Sequence, residues 1–187
     1  SINRAIELNP NFAIAYYNLG TVLKDLDNLQ DAELFTRKAI ELNPDFADAY
    51  SNLGSILKDL GKLQEAELST RKAIELNPDF ADAHLNLGNI LCDLGKLKEL
   101  ILLSKSTLKS KSINEGYKLS ALLRITIANL LGGNFSETYL NINKTNELIN
   151  QGAIDTIKEK KNRDYSFAFS RFITSLYPLL EKEYKPS

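Results

Sequence analysis

Between Ala47 and Leu60 the apolar residues Tyr50, Leu53, Leu57 and Leu60 fall three or four positions apart, the spacing of one helix face. Asp48, Ser51, Asn52, Ser55, Lys58 and Asp59 fill the positions between them, so the pattern predicts an amphipathic helix. Gly61 predicts its end, because glycine accepts the left-handed conformation that closes a helix, and Lys58 suits the negative end of the dipole. A second helix is expected from about Leu63 to Leu76, packing through Ala66, Ala73, Ile74 and the stem of Arg71. Asn77-Pro78 stops it, since the residue before proline disfavours helix. Asp79 or Asp82 then stands where a carboxylate caps the next helix.

This two-helix pattern repeats. The string RKAIELNPDFADA occurs at Arg37 to Ala49 and again at Arg71 to Ala83. Pro10, Pro44 and Pro78 recur 34 residues apart, as do Leu19-Gly20, Leu53-Gly54 and Leu87-Gly88. A fixed period of this size marks stacked supersecondary units. Helix pairs are expected at about Ala13–Leu42, Ala47–Leu76 and Ala81–Lys109. Glycine inside a helix costs about 1 kcal/mol against alanine, so its recurrence calls for a packing reason. Gly20 opposite Ala32, and Gly54 opposite Ala66, would let paired backbones cross closely.

The pattern decays towards the C-terminus. Leu100, Thr107 and Ser112 replace the small residue, the alanine and the proline of the earlier units. Residues 98–109 are therefore expected to form a helix packed differently, and the polar stretch 110–116 to form a joint. Residues 117–131 and 136–149, separated by Gly132-Gly133, predict another helical hairpin. Ile154 to Lys161 predicts a short charged helix. Tyr165, Phe169, Phe172 and Leu176 then share one helical face, and Pro178 ends or kinks that helix. The expected organisation is repeats over 1–114 (a half repeat 1–12, then 13–46, 47–80 and 81–114), a degenerate hairpin over 115–152, and capping helices over 153–187.

Tyr16, Leu19, Gly20, Leu23, Ala32, Ala39 and Pro44, repeated as Tyr50, Leu53, Gly54, Leu57, Ala66, Ala73 and Pro78, resemble the tetratricopeptide repeat family. Thr36 and Thr70 depart from the family pattern, standing where an aromatic residue is usual. The stretch NLGSILKDLGKLQEAE is similar to the repeats of O-GlcNAc transferases and their bacterial relatives. The resemblance implies an all-α, right-handed superhelix, an α-α solenoid whose first helices line a concave wall. It implies a protein or peptide as partner, bound as an extended segment. Stepping about 100° per residue puts Asn18, Asn52 and Asn86 in one row on that wall, with Tyr17, Ser51, Ser55, Lys58 and Asn89 beside them. Two readings of the row stay open: local structural bonding, or a ladder that grips a peptide backbone as similar asparagines do in the O-GlcNAc transferase superhelix. The carboxylate clamp of co-chaperone repeats is disfavoured, because Asp48 and Asp82 would face the ligand's own carboxylate. An alternative to a self-sufficient binding module is a substrate-positioning arm of a larger enzyme, such as a glycosyltransferase.

Composition adds limits. The formal net charge of the 187 residues is −1, so no global field attracts nucleic acid or an acidic membrane. The longest apolar candidate for a membrane span, Leu119 to Leu131, is interrupted by Arg124 and Asn129. Cys92 is the only cysteine, which excludes a disulfide framework and a cysteine-based zinc site within the chain and fits a reducing, cytoplasmic setting. His84 replaces Tyr16 and Tyr50 and reads as a packing residue. No phosphate loop, dinucleotide fingerprint or zinc-protease motif is present. No cofactor or metal is implied, and no catalytic set is assembled. Lys158, Lys160, Lys161 and Arg163 lie next to aromatics whose period is that of a buried face, which argues against a single-strand site. The chain holds no methionine and starts within a repeat, so it reads as a fragment. Ile2, Ala5, Ile6 and Leu8 then form a truncated apolar edge suited to weak self-association.

Solenoid ends need a cover, and the helix carrying Phe169, Phe172 and Leu176 is expected to supply it. Deleting Tyr165 to Ser187 should lower the melting temperature or cause aggregation. Unchanged stability and solubility would make the segment a linker.

Overall fold

A computed structural model describes residues 9, 11–109 and 115–150, and every regular element among them is an α-helix. These are α1 (Ala13–Asp25), α2 (Leu29–Leu42), α3 (Ala47–Asp59), α4 (Leu63–Leu76), α5 (Ala81–Asp93), α6 (Leu97–Lys109), α7 (Glu115–Leu131) and α8 (Phe135–Asn150). The six helices expected between Ala13 and Lys109 are present at their expected bounds, and the first four pair as expected. Residues 1–8 and 10 of the expected half repeat, residues 110–114 of the expected joint and the segment after residue 150 lie outside the described residues, whereas Glu115 and Gly116, expected in the joint, belong to the first turn of α7.

The chain divides into two compact units between Leu94 and Gly95. In the first unit α1 pairs with α2 and α3 with α4, and α2 and α4 also touch α3 and α5. The first helices touch one another, α1 to α3 and α3 to α5, so they form one layer and the second helices another. A cluster built on Leu53, Leu57, Ala66 and Ile90, with Ile40 and Leu94 against it, joins the layers.

Close crossing explains the glycines. A Cβ added to Gly54 would overlap Thr70 Oγ1 and come within 3.2 Å of the Ala66 carbonyl. Thr70, fully buried, donates its hydroxyl to that same carbonyl at 2.8 Å. Gly20 meets Thr36 and the Ala32 carbonyl in the same way. The threonines that depart from the family's aromatic pattern therefore fill the space that the glycines vacate.

Each first helix ends through its backbone. Gly61, at φ 76°, donates its N–H to the Lys58 carbonyl, and Lys62 donates to Leu57 at 2.8 Å, which satisfies two terminal carbonyls. The second helices end at Asn43 and Asn77, both extended at φ near −140° ahead of proline. Their carbonyls accept N–H bonds from Phe46 and Phe80, folding the chain into the next helix.

The expected carboxylate cap is corrected here. The N-cap of α5 is Phe80, with no side-chain cap bond, and Asp82 sits in the first turn instead. The turn set by Asn77 and Pro78 brings the phenylalanine, not an aspartate, to the cap position, and Asp82 places its charge in the first turn at the positive helix end. Phe46, the equivalent cap of α3, also packs: its ring lies 5.0 Å from Tyr17 of the preceding repeat.

Between the second helices the contact is ionic. Arg37 binds Glu33 and Glu65, both at 2.9 Å, and Lys62 binds Glu33 at 2.7 Å. Burial pushes the Glu33 pKa up, but the hydrogen bonds and charges of Lys62 and Arg37 outweigh it and the net shift is downward. Each exposed pair contributes little by itself.

In the second unit α6 packs on α7 and α7 on α8. Leu100, Leu119, Leu122, Ile125 and Ile142 are buried together with Thr126 and Thr145, whose hydroxyls donate to carbonyls four residues earlier.

One position breaks the terminator pattern. Asp27 stands where the later repeats have Gly61 and Gly95, and it adopts φ 60°. The left-handed region is costly for a residue with a Cβ, and an acid here also faces the negative helix end. Replacing Asp27→Gly should raise stability by about 0.5–1 kcal/mol in denaturant unfolding. A loss of stability would show that the aspartate makes a compensating contact.

Candidate binding face on the first helices

The rows that lie 34 residues apart in sequence sit on α1, α3 and α5. Tyr17 and Asn18 belong to α1, Ser51, Asn52, Ser55 and Lys58 to α3, and Asn86 and Asn89 to α5. Because these helices touch in order, residues one period apart become neighbours across a seam.

Side-chain bonds cross these seams. Asn52 Nδ2 donates to Thr21 Oγ1 at 3.3 Å, and Asn86 Nδ2 donates to Ser51 Oγ at 3.2 Å. Thr21 donates its own hydroxyl to the Tyr17 carbonyl at 3.0 Å. One N–H of each amide is thus engaged between repeats. An amide has a second N–H and an oxygen with two lone pairs, so this bond orients the group without exhausting it. Asn18 is exposed, whereas Asn52 and Asn86 are half-buried.

The companion residues differ in access. Ser51 is only 4% exposed and serves as the acceptor for Asn86, so it supports the face from beneath. Ser55 is half-buried and Asn89 exposed. Lys58 is half-buried, with its ammonium 3.1 Å from Asp59. Sequence reasoning missed Thr21. It occupies the same row as Ser55 and Asn89, so the period that found those two would have found it.

Tyr17 sits among charges from two other repeats. Burial raises its pKa, a hydrogen bond with Thr21 lowers it, and the carboxylates of Asp48 and Asp82 raise it further, for a net upward shift. One rim of the face therefore combines an aromatic hydroxyl with negative charge from α3 and α5.

The remaining candidates are structural. His84 is half-buried with Nε2 2.8 Å from the Pro78 carbonyl, which ties α5 to its preceding turn. Cys92 is a free thiol, half-buried. Among the described residues no group of three potential metal ligands occurs, and no helix is long and apolar enough to cross a membrane. The basic run at Lys158 to Arg163 lies outside the described residues.

Comparison with known proteins adds a family. A family model described as tetratricopeptide repeat matches residues 13–46 and 47–80, and a second model of the same description matches residues 70–100. No curated protein matches the chain. Among solved structures, MamA superposes with a TM-score of 0.74 at 26% identity, covering 81% of this chain and 86% of that one. YrrB, described as a TPR protein with an unusual peptide-binding site, gives a TM-score of 0.70 at 20% identity over 97% of this chain and 96% of that one. The pilF protein of Pseudomonas aeruginosa gives 0.65 at 17% identity over 89% and 75%.

The tyrosine is directly testable. A raised folded pKa means that its contribution to stability is present below the ordinary tyrosine value and is lost as pH rises through the folded one. In a spectrophotometric titration, the difference between wild type and Tyr17→Phe should show one phenol ionising above the ordinary value. Replacing Asp48→Asn and Asp82→Asn together should move that ionisation down. An unmoved ionisation would separate those carboxylates from the site.

Proposed function

The chain belongs to the tetratricopeptide repeat family, and from that premise we propose that the α1, α3 and α5 face is a concave wall binding an extended segment of a partner protein. The observation that carries this reading is the pair of seam bonds from Asn52 and Asn86. They fix the amides in register with neighbouring repeats and leave each with further hydrogen-bonding capacity. The peptide-binding site ascribed to YrrB belongs to a protein of the same fold, which makes a peptide the first ligand to test.

Packed helices lie roughly 8–10 Å apart and an extended peptide advances about 3.3 Å per residue, so one asparagine meets the ligand about every third residue. An amide pairs with a peptide N–H and C=O together and so grips backbone without reading sequence. Selectivity falls to Tyr17, Ser55, Lys58 and Asn89, with Ser51 and Thr21 holding the amides from below. No step of catalysis is assigned to this face, and neither a cofactor nor a nucleic acid is part of the reading. The single cysteine suits a reducing compartment such as the cytoplasm.

Replacing Asn18, Asn52 and Asn86 with alanine tests the ladder. Calorimetry against peptides selected on the wild-type protein should show affinity falling at least about tenfold, since three hydrogen bonds of about 1 kcal/mol each are removed. The helical circular dichroism should be unchanged. Equal affinity in the triple variant would remove the asparagines from the binding site.

A further inference from the structure

The first two helix pairs differ at one equivalent position, and the difference leaves a cleft. Tyr16 and Tyr50 stand at the same place of α1 and α3, one period apart. In the first pair Phe35 of α2 covers its tyrosine: the two rings stack with centroids 6.3 Å apart and planes 21° from parallel. In the second pair Ser69 of α4 occupies the position of Phe35. The Ser69 hydroxyl donates to the Tyr50 carbonyl at 3.0 Å, so this small side chain is drawn to the backbone. Among the described residues no ring stacks on Tyr50.

A cleft of about 270 Å³ lies against Tyr50 and Ser69, with Leu53, Leu57 and Leu68 also lining it. Leu53 and Leu57 are buried and form its floor, whereas Leu68 is 70% exposed at its edge. The volume exceeds the roughly 150 Å³ of an apolar cavity that binds benzene, so a six-membered ring fits. A tyrosine ring beside aliphatic groups favours an aromatic occupant over an aliphatic one, because ring pairs gain from offset stacking beyond the apolar area that they bury. Phe35 is such an occupant, in place on the preceding repeat.

The rim narrows the choice further. Arg37 of α2 and Glu65 of α4 bound the cleft and bind each other at 2.9 Å. Lys72, also at the rim, binds Glu75 at 2.9 Å. Charges already matched within the chain give an ionic ligand no net charge to answer, which favours a neutral ring. The cleft is bounded by α2, α3 and α4, and none of Asn18, Asn52 and Asn86 lines it.

We propose that this cleft takes a phenylalanine, tyrosine or tryptophan side chain of a partner protein, stacked on Tyr50 as Phe35 stacks on Tyr16. That the ring arrives on a protein rests on the reading of the chain as a protein-binding module, whereas the need for a ring is set by the cleft itself. The cleft shares no residue with the asparagine row, so the two sites stand or fall separately.

The test is a two-dimensional NMR titration of the full chain with N-acetyl-phenylalanine amide, which presents the ring as a residue within a polypeptide does. Signals of Tyr50, Leu53, Leu57 and Leu68 should shift, and N-acetyl-leucine amide should bind at least about threefold more weakly. Ser69→Phe supplies the ring from within the chain, so it should lower the affinity for the probe more than about tenfold, with the helical circular dichroism unchanged. If that variant fails to fold, Leu68→Ala, at the exposed edge, should weaken the probe in the same direction. The proposal is overturned if the lining signals do not shift, if shifts appear only at the asparagines of α1, α3 and α5, or if the leucine probe binds as well. It is equally overturned if a folded Ser69→Phe, or Leu68→Ala in its stead, keeps the wild-type affinity. Benzoate binding more tightly than the capped phenylalanine would make the cleft a site for a small aromatic acid, and that result would overturn it too.

Discussion

The first unit depends on how closely two helices cross. At Gly54 the facing helix brings the Ala66 carbonyl and the Thr70 hydroxyl into the volume that a Cβ would occupy. The fit is reciprocal, because Thr70 is wholly buried and its hydroxyl is satisfied only by the Ala66 carbonyl beneath it. Glycine in a helix is unfavourable by itself, so the close approach must return more than that loss through contact and burial. The same close approach recurs at Gly20, Ala32 and Thr36, where the buried threonine hydroxyl has no hydrogen-bond partner and steric fit alone remains.

Identical crossings repeated at one period have a consequence beyond stability. They place α1, α3 and α5 in contact and put chemically similar residues side by side. The seam bonds from Asn52 to Thr21 and from Asn86 to Ser51 follow from that placement. The ion pairs of Arg37 and Lys62 follow on the other layer. One layer presents polar side chains held in register, and the other presents leucines between paired charges. The proposed peptide contact uses the first of these layers.

Much of the fold was legible because glycine and proline have few alternatives. Gly61 needs its positive φ, and Pro44 and Pro78 force the preceding asparagines out of helix, so helix ends could be read to the residue. The cap was not legible, since the Asn-Pro turn decides which residue arrives at the helix start and its competition with nearby aspartates is three-dimensional. The face was read from the period, but access was not. Ser51 and Asn52 are adjacent polar residues, yet one is buried as an acceptor and the other half-open, and only the neighbouring helix separates them. Thr36 and Thr70 read as departures from a pattern and turn out to fill the glycine's space. The exposure of Leu34 and Leu68 was not legible for the opposite reason: in helices rich in leucine and alanine, periodicity does not distinguish an exposed leucine from a core one.

The close crossing is tested most directly by a double-mutant cycle between Gly54→Ala and Thr70→Ala, read by denaturant unfolding. Gly54→Ala alone should destabilise by about 1–3 kcal/mol through overpacking, and Thr70→Ala alone should cost about 1 kcal/mol or more through lost burial and hydrogen bonding. With the threonine side chain gone, the new methyl group has room, so the double variant should cost at least about 1 kcal/mol less than the sum of the singles. Additivity within about 0.5 kcal/mol would contradict the account, because it would mean that the glycine and the threonine do not share one space.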